Sequence, residues 1–318
     1  MGWLTEKLRE RAKTSPKKVV FPEYNDERVA EAVKIIEREK IACPVVLSPG
    51  SLNKDKVEHF AKIYCEIRPN QFRSLKEAQQ IMSQPLYYSA MMARLGEVDA
   101  FVAGAEFSTS SVIRAGLRCL EIDPVYNLVS GCFVMEVPES SYGEKGVFVY
   151  SDCAVIPSPT SEQLATIALS AGEFTKEVLE IEPRLAFLSF STKGSSKAVE
   201  VEKVREAVAI LAGKNPPFLF DGELQVDSAL EPEVAKRKVP HSSVAGRANV
   251  LIFPNLDAGN ISYKLTERLA KAKALGPVLL GFKQICSDLS RGVSVEDIVD
   301  ITALTVVRVQ KASEEKTL

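Results

Sequence analysis

The sequence predicts an α/β protein of two domains, each built on a largely parallel sheet. Three observations carry that reading: short, strongly apolar β-type runs recur along the chain, amphipathic helical stretches separate them, and the rhythm breaks once near the middle. Apolar strands alternating with amphipathic helices describe sheets covered on both faces. A chain of 318 residues, 46% of them hydrophobic, is long enough to build two such cores.

In chain order, "MGWLTEKLRERAK" opens as a charged amphipathic helix rather than the apolar stretch of a signal peptide. Glu6 also breaks the myristoylation pattern. "KKVVFPE" (17–23) is a buried-type strand, followed by a helix through "DERVAEAVKIIEREK". "CPVVLS" (43–48) and "VDAFVAGA" (98–105) are further strands. In residues 127–155 two β-rich runs flank a Gly/Pro/Ser turn, which reads as a hairpin rather than a crossover. A helix over 161–179 follows, then strands at 184–191, 216–223 and 248–255, a helix over 261–275 and a strand at 276–282. The break at the hairpin sets the boundaries: residues 1–126 with 279–318 as the first domain and 127–278 as the second. The active site is expected in the cleft between them.

Composition removes several function classes. The formal charge is −2, from 40 basic and 42 acidic residues, which gives no footprint for nucleic acid or an anionic membrane. An anionic substrate must then be held by local Arg and Lys side chains. No apolar run is long enough to span a bilayer. Six cysteines, Cys43, Cys65, Cys119, Cys132, Cys153 and Cys286, are scattered without metal-site spacing. They read as free, mostly buried thiols of the cytoplasm. The two histidines, His59 in "KDKVEHFAKIY" and His241 in "VPHSSVAG", lack metal or triad partners in sequence, so a carboxylate is the favoured acid–base group.

Three strand ends share one design, an apolar run stopping at small polar residues before a helix. "FLSFSTKGSSKAVEVEKV" places Ser191, Thr192, Lys193 and Gly194 in a turn whose N–H groups suit an anion or simply a capped loop. "VAGAEFSTSSVIRAGL" places Ser108 and Thr109 in a turn, with Arg114 on the opening helical turn. In "DLSRGVSVEDIV" (288–299), Ser294 and Asp297 have capping-box spacing, with Asp in the Glu/Gln position. Taken alone, Asp297 reads first as a cap that favours the helix dipole. Just upstream, Gly292 permits a sharp turn and Arg291 offers a planar fork for phosphate or carboxylate.

These stretches together resemble the phosphate acetyl/butyryltransferase family almost end to end. The resemblance is carried by "FPEYNDERV", "VDAFVAGAEFSTSSVIRA", "SDCAVIPSPTSEQLATIA", "LSFSTKGSSK", "DGELQVDSAL", "VAGRANVLIFPNLDAGNISYKL" and "DLSRGVSVEDIV", in one order. It implies two isocitrate/isopropylmalate dehydrogenase-like α/β domains, commonly in a homodimer. It also implies reversible exchange of an acetyl group between acetyl phosphate and coenzyme A, giving acetyl-CoA and inorganic phosphate, with neither cofactor nor metal.

By the same resemblance, Asp297 takes the thiol proton, Ser290 hydrogen-bonds the sulfur, Arg291 holds the phosphoryl group with help from Arg114, and Arg68 contacts a CoA phosphate. Ser108, Thr109, Ser191, Thr192, Lys193, Gly194 and Asn260 complete the expected substrate-binding set. Two positions depart from the family. In "RPNQFRSLKE", Pro69 follows Arg68 where the family often runs on with basic residues and a Gly, so Arg73 stands as an alternative CoA contact. Asn255 occupies a position where Asp is common.

Reference values of about 8.5 for a thiol and about 3.9 for Asp make the proton transfer uphill by about 6 kcal/mol. A desolvated Asp297, with transfer concerted with attack, is the expectation. Competing readings are phosphate butyryltransferase, a non-catalytic CoA- or acyl-phosphate-binding regulator, and an NAD-dependent decarboxylating dehydrogenase. The last lacks a dinucleotide fingerprint.

Overall fold

The computed structural model describes residues 2–47, 50, 52–69 and 74–315. The chain forms two compact units, residues 3–123 with 282–318, and residues 124–281. The first unit begins with α1 (Trp3–Thr14), β1 (Lys18–Phe21), α2 (Glu27–Glu39), β2 (Cys43–Val46), α3 (Lys54–Ile67), α4 (Leu75–Met82), α5 (Pro85–Arg94), β3 (Ala100–Ala103) and α6 (Thr109–Cys119). Val19, Val20 and Phe21 of β1 and all four residues of β3 are buried, as interior strands of a parallel sheet require. In α2, Val29, Ala32, Val33 and Ile36 recur every three or four residues and form its buried stripe. Asp26 starts that helix by accepting the N–H groups of Arg28 and Val29, and Lys40 ends it in the left-handed region.

The second unit holds β4 (Ser130–Glu136), β5 (Val147–Ser151), α7 (Ser161–Glu177), β6 (Arg184–Leu188), α8 (Val199–Lys214), β7 (Leu219–Leu224), α9 (Val226–Leu230), α10 (Pro232–Lys238), β8 (Val250–Ile252), α11 (Leu256–Leu269) and β9 (Lys273–Leu280). Its strand order is β9–β4–β5–β8–β6–β7. β4 pairs antiparallel with both β5 and β9, so the hairpin expected in the middle of the chain is present. β5, β8, β6 and β7 run parallel. The helix expected over 261–275 is displaced. It starts at Leu256, because Asn255 caps it by accepting the Ala258 N–H at 2.9 Å, and it stops at Leu269. Lys271 then turns the chain at φ 52° into β9, whose inward residues join the core. As a cap, Asn255 serves as well as the Asp common in the family.

The chain re-enters the first unit through β10 (Ile285–Asp288) and α12 (Val295–Glu315). β10 pairs parallel with β3, giving the order β2–β1–β3–β10 with every pair parallel. The sequence reading had no separate strand here, since four residues ending in Ser287 and Asp288 carry little β-type signal. α12 packs on α1, α2, β3 and β10 and is buried around most of its circumference, including Ile298, Val299, Ile301, Leu304, Val306 and Val307. The chain winds outward one way from β1 to β2 and the other way to β3 and β10. The switch between β1 and β3 leaves the carboxyl ends of these parallel strands on one edge, where open α/β sheets bind ligands.

Candidate active site

At that edge the loop after β3 is fixed by one carboxylate. Glu23, 3% exposed, accepts four backbone N–H groups: Gly104 (2.7 Å) and Ala105 (3.0 Å) on Oε2, Glu106 (2.8 Å) and Phe107 (2.7 Å) on Oε1. Charge-assisted bonds of this kind are strong, and four of them leave the loop little freedom. The loop delivers Ser108, which caps α6 by accepting the Ser111 N–H at 3.2 Å, and then Thr109. Arg28 ties this loop to the turn after β10. Its guanidinium donates to the carbonyl oxygens of Ala105 (2.9 Å), Arg291 (2.8 Å) and Val293 (3.1 Å). Asp26 holds that fork in two-point contact, which keeps the Asp26 carboxyl below its ordinary value.

The turn after β10 exposes Ser290 and Arg291. The Ser290 oxygen accepts the Gly292 N–H at 3.4 Å, and its own O–H has no acceptor among the described residues. The Arg291 guanidinium likewise has no partner among the described residues; only its backbone oxygen is engaged. At the start of α12 the capping box forms with Asp in the reciprocal position. Asp297 Oδ2 accepts the Ser294 N–H (3.1 Å) and O–H (2.6 Å), while Ser294 Oγ accepts the Asp297 N–H at 3.2 Å. Asp297 is half-buried.

Arg114 sits one turn further into α6 than the sequence reading put it, exposed and without a partner among the described residues. Arg68 ends α3 and donates to the carbonyl oxygens of Leu117 and, at 3.2 Å, Arg118, so part of its fork caps the end of α6. Arg73, the alternative to it, lies outside the described residues.

In the second unit the turn after β6 is closed upon itself. Ser191 Oγ donates to the buried Glu223 at 3.0 Å, and the Gly194 N–H donates to the same oxygen at 2.6 Å. Thr192 Oγ1 donates to Gln225 Oε1 and accepts the Gln225 N–H at 2.9 Å, and Lys193 pairs with Asp221. An N–H expected to meet an anion therefore already meets Glu223. Nor does the turn open a helix directly, since α8 begins only at Val199. Asn260, on α11, donates to the Cys153 carbonyl at 3.1 Å.

Three groups of the first-unit edge escaped the sequence reading of roles: Glu23, Arg28 and Asp288. The first two lie within "FPEYNDERV", and a buried acid just after a strand could have flagged Glu23. All six cysteines are free, four are buried, and Cys43 and Cys65 reach solvent. Burial pushes the Cys119 and Cys286 thiols up to about 12 and raises Cys153 well above the ordinary range, which suppresses their thiolates. No helix among the described residues is long and apolar enough to cross a membrane.

Uncommitted guanidinium and hydroxyl groups on a rigid strand-end edge, with these thiols silent, belong here to an acyltransferase: the family model for Phosphate acetyl/butaryl transferase matches residues 3–306. The chain belongs to that family. It is 44% identical to a phosphate acetyltransferase of Acetivibrio thermocellus over 324 residues, covering 96% of this chain and 98% of the relative. Its fold matches a phosphotransacetylase from Streptococcus pyogenes with a TM-score of 0.88 and 35% identity, over 98% and 99% of the two chains. A branched-chain phosphotransacylase from Enterococcus faecalis, at 19% identity and a TM-score of 0.67 over 92% and 99%, shares the fold.

Proposed function

We infer that the protein is a phosphate acetyltransferase, moving an acetyl group reversibly between acetyl phosphate and coenzyme A. The turn after β10 carries this reading: an exposed hydroxyl and an uncommitted guanidinium, Ser290 and Arg291, are followed by Asp297 at the head of α12. In the forward direction the thiol proton passes to the Asp297 carboxylate as sulfur attacks the acyl carbon. The S–C bond forms, the C–O bond to phosphate breaks, and inorganic phosphate leaves with its charge matched by Arg291 and Arg114. Ser290 donates to the sulfur as it loses its proton. Because transfer to a carboxylate starts about 6 kcal/mol uphill on reference values, it runs together with attack in a ternary complex.

Ser108 and Thr109 flank the phosphate position, and the remaining fork of Arg68 is assigned to a CoA phosphate. In the second unit Ser191, Thr192, Lys193, Gly194 and Asn260 are bonded within that unit, so they would contact substrate only by exchanging those bonds. Since guanidinium groups supply the positive charge, neither metal nor cofactor enters the scheme; coenzyme A is a substrate. The reading places the enzyme in acetate metabolism, in the cytoplasm, as a homodimer, and the free thiols are consistent with a reducing compartment.

The test is thioester absorbance with acetyl, propionyl and butyryl phosphate side by side, with and without chelator. Acetyl phosphate is expected to give the highest kcat/KM, and chelation to leave it unchanged. Preference for butyryl phosphate would move the assignment to the butyryltransferase. Absence of thioester with any donor would reject acyl transfer, and activity lost to chelator and restored by one metal would reject the metal-free scheme.

A further inference from the structure

Two carboxyl groups flank Gly104, and the structure treats them differently. Glu23 receives four backbone N–H groups, two of them from Gly104 and Ala105. Asp288, the last residue of β10 and fully buried, has only the Thr109 side chain and the Leu289 N–H beside it among the described residues, and neither reaches hydrogen-bond geometry with its oxygens. The approach is close. Gly104 has φ 121°, and a Cβ there would lie 2.4 Å from Asp288 Oδ1, 2.6 Å from the Leu289 oxygen and 2.7 Å from its nitrogen. Leu289 N–H in turn donates to the Ala103 oxygen at 2.8 Å. Asp288 thus sits where the loop carrying Ser108 and Thr109 meets the turn carrying Ser290 and Arg291.

A carboxylate without donors is costly to bury, whereas its neutral acid is far less so. When two nearby carboxyls differ this much in donors, the one with four holds the charge and the one without a well-formed hydrogen bond holds the proton. We propose that Asp288 is a positioning residue for acyl transfer: neutral against Gly104, it seats the Ser290–Arg291 turn on the Ser108–Thr109 loop, and losing its proton unseats that turn and ends turnover. The inference rests on the acyl-transfer reading above.

The surrounding groups agree with a retained proton. Burial pushes the Asp288 carboxyl up to about 8, and Glu23 adds to the rise, while the Thr109 side chain and the Leu289 N–H temper it. Cys286 of β10, itself raised by burial, lies nearby, and Arg308 of α12 faces Cys286, donating to its carbonyl at 2.9 Å. Arg28 pairs with Asp26, with Glu23 and Glu106 as its further acidic neighbours. The acid has its unfolded value near 3.8 and its folded value near 8, so the folded state keeps a proton that the unfolded state loses. Stability linked to this group is complete at low pH and declines as pH rises from about 4 to about 8.

The experiment compares wild type with Asp288→Asn, whose amide keeps the shape and a donor but cannot ionise. The readouts are kcat for acetyl-CoA formation and the melting temperature, each from pH 5 to 9.5. Wild-type kcat is expected to fall about tenfold per pH unit above an apparent value near 8. The variant is expected to lack that fall, whatever its kcat at pH 7, and to melt at a temperature nearly flat between pH 5 and 8. A wild-type profile without an alkaline fall, or the same fall in a folded Asp288→Asn, would overturn the inference while leaving acyl transfer intact. A variant too unstable to assay would also overturn it, because replacing a neutral acid by its isostere should not unfold the protein. A wild type that forms no acetyl-CoA would instead sink the acyl-transfer reading, and this inference with it.

Discussion

Asp297 holds two duties that a single substitution can separate. As the reciprocal member of a capping box it accepts two hydrogen bonds from Ser294, and as the proposed base it must also accept the thiol proton. An amide oxygen can still take the cap bonds but cannot take a proton. Asp297→Asn should therefore lose no more than about 1 kcal/mol of stability. Its kcat should drop about 10²- to 10⁴-fold, with the KM for CoA within a few-fold of wild type. A variant with undiminished turnover would leave Asp297 as a cap and nothing more. The companion change, Arg291→Gln, removes the uncommitted fork and should raise the KM for acetyl phosphate or lower kcat; unchanged constants would take the phosphoryl group away from Arg291. At this scale the sequence showed the box, because its spacing is local. It hid Asp288, because a missing hydrogen-bond partner is a property of the packed edge and not of neighbours in the chain.

Among elements, the loop between β3 and α6 depends on a residue from a different strand end. Glu23→Gln offers one acceptor oxygen where the carboxylate offered two, and turns an NH₂ group toward backbone donors. At least one or two of the four N–H groups at 104–107 would lose their partner at about 1–3 kcal/mol each. Glu23→Gln should thus lower unfolding stability in urea by about 2 kcal/mol or more, and a change below about 0.5 kcal/mol would mean that the loop holds itself. The strands were legible where β-branched or aromatic residues ran together, as in β1 and β5, and where an apolar run was unbroken, as in β6. β10 was not, since its pattern is short and half polar, and only its pairing with β3 makes it a strand. The boundary of α11 slipped for a related reason. The apolar residues of 270–275 fit helical spacing equally well, and the positive φ at Lys271 that redirects them leaves no mark in composition.

At the scale of the whole molecule, the family was legible because seven separated motifs fall in one order, which chance composition does not produce. Net charge told less: a value of −2 draws no anionic substrate from a distance, and the proposed function assigns that attraction to Arg291 and Arg114. Assembly is the remaining question at this scale. α11 leaves Ile261 (56%), Leu265 (52%) and Leu269 (79%) open to solvent at four-residue spacing, a continuous apolar stripe along one helix face. A second copy of the chain, related by a two-fold axis, could cover such a stripe with its own equivalent. In sedimentation at micromolar concentration the protein is expected at twice the chain mass, and Leu265→Glu at the single mass, because a charge would then be buried at the centre of the contact. A wild type at single mass throughout would remove the homodimer, and a dimer indifferent to Leu265→Glu would place its interface on another surface.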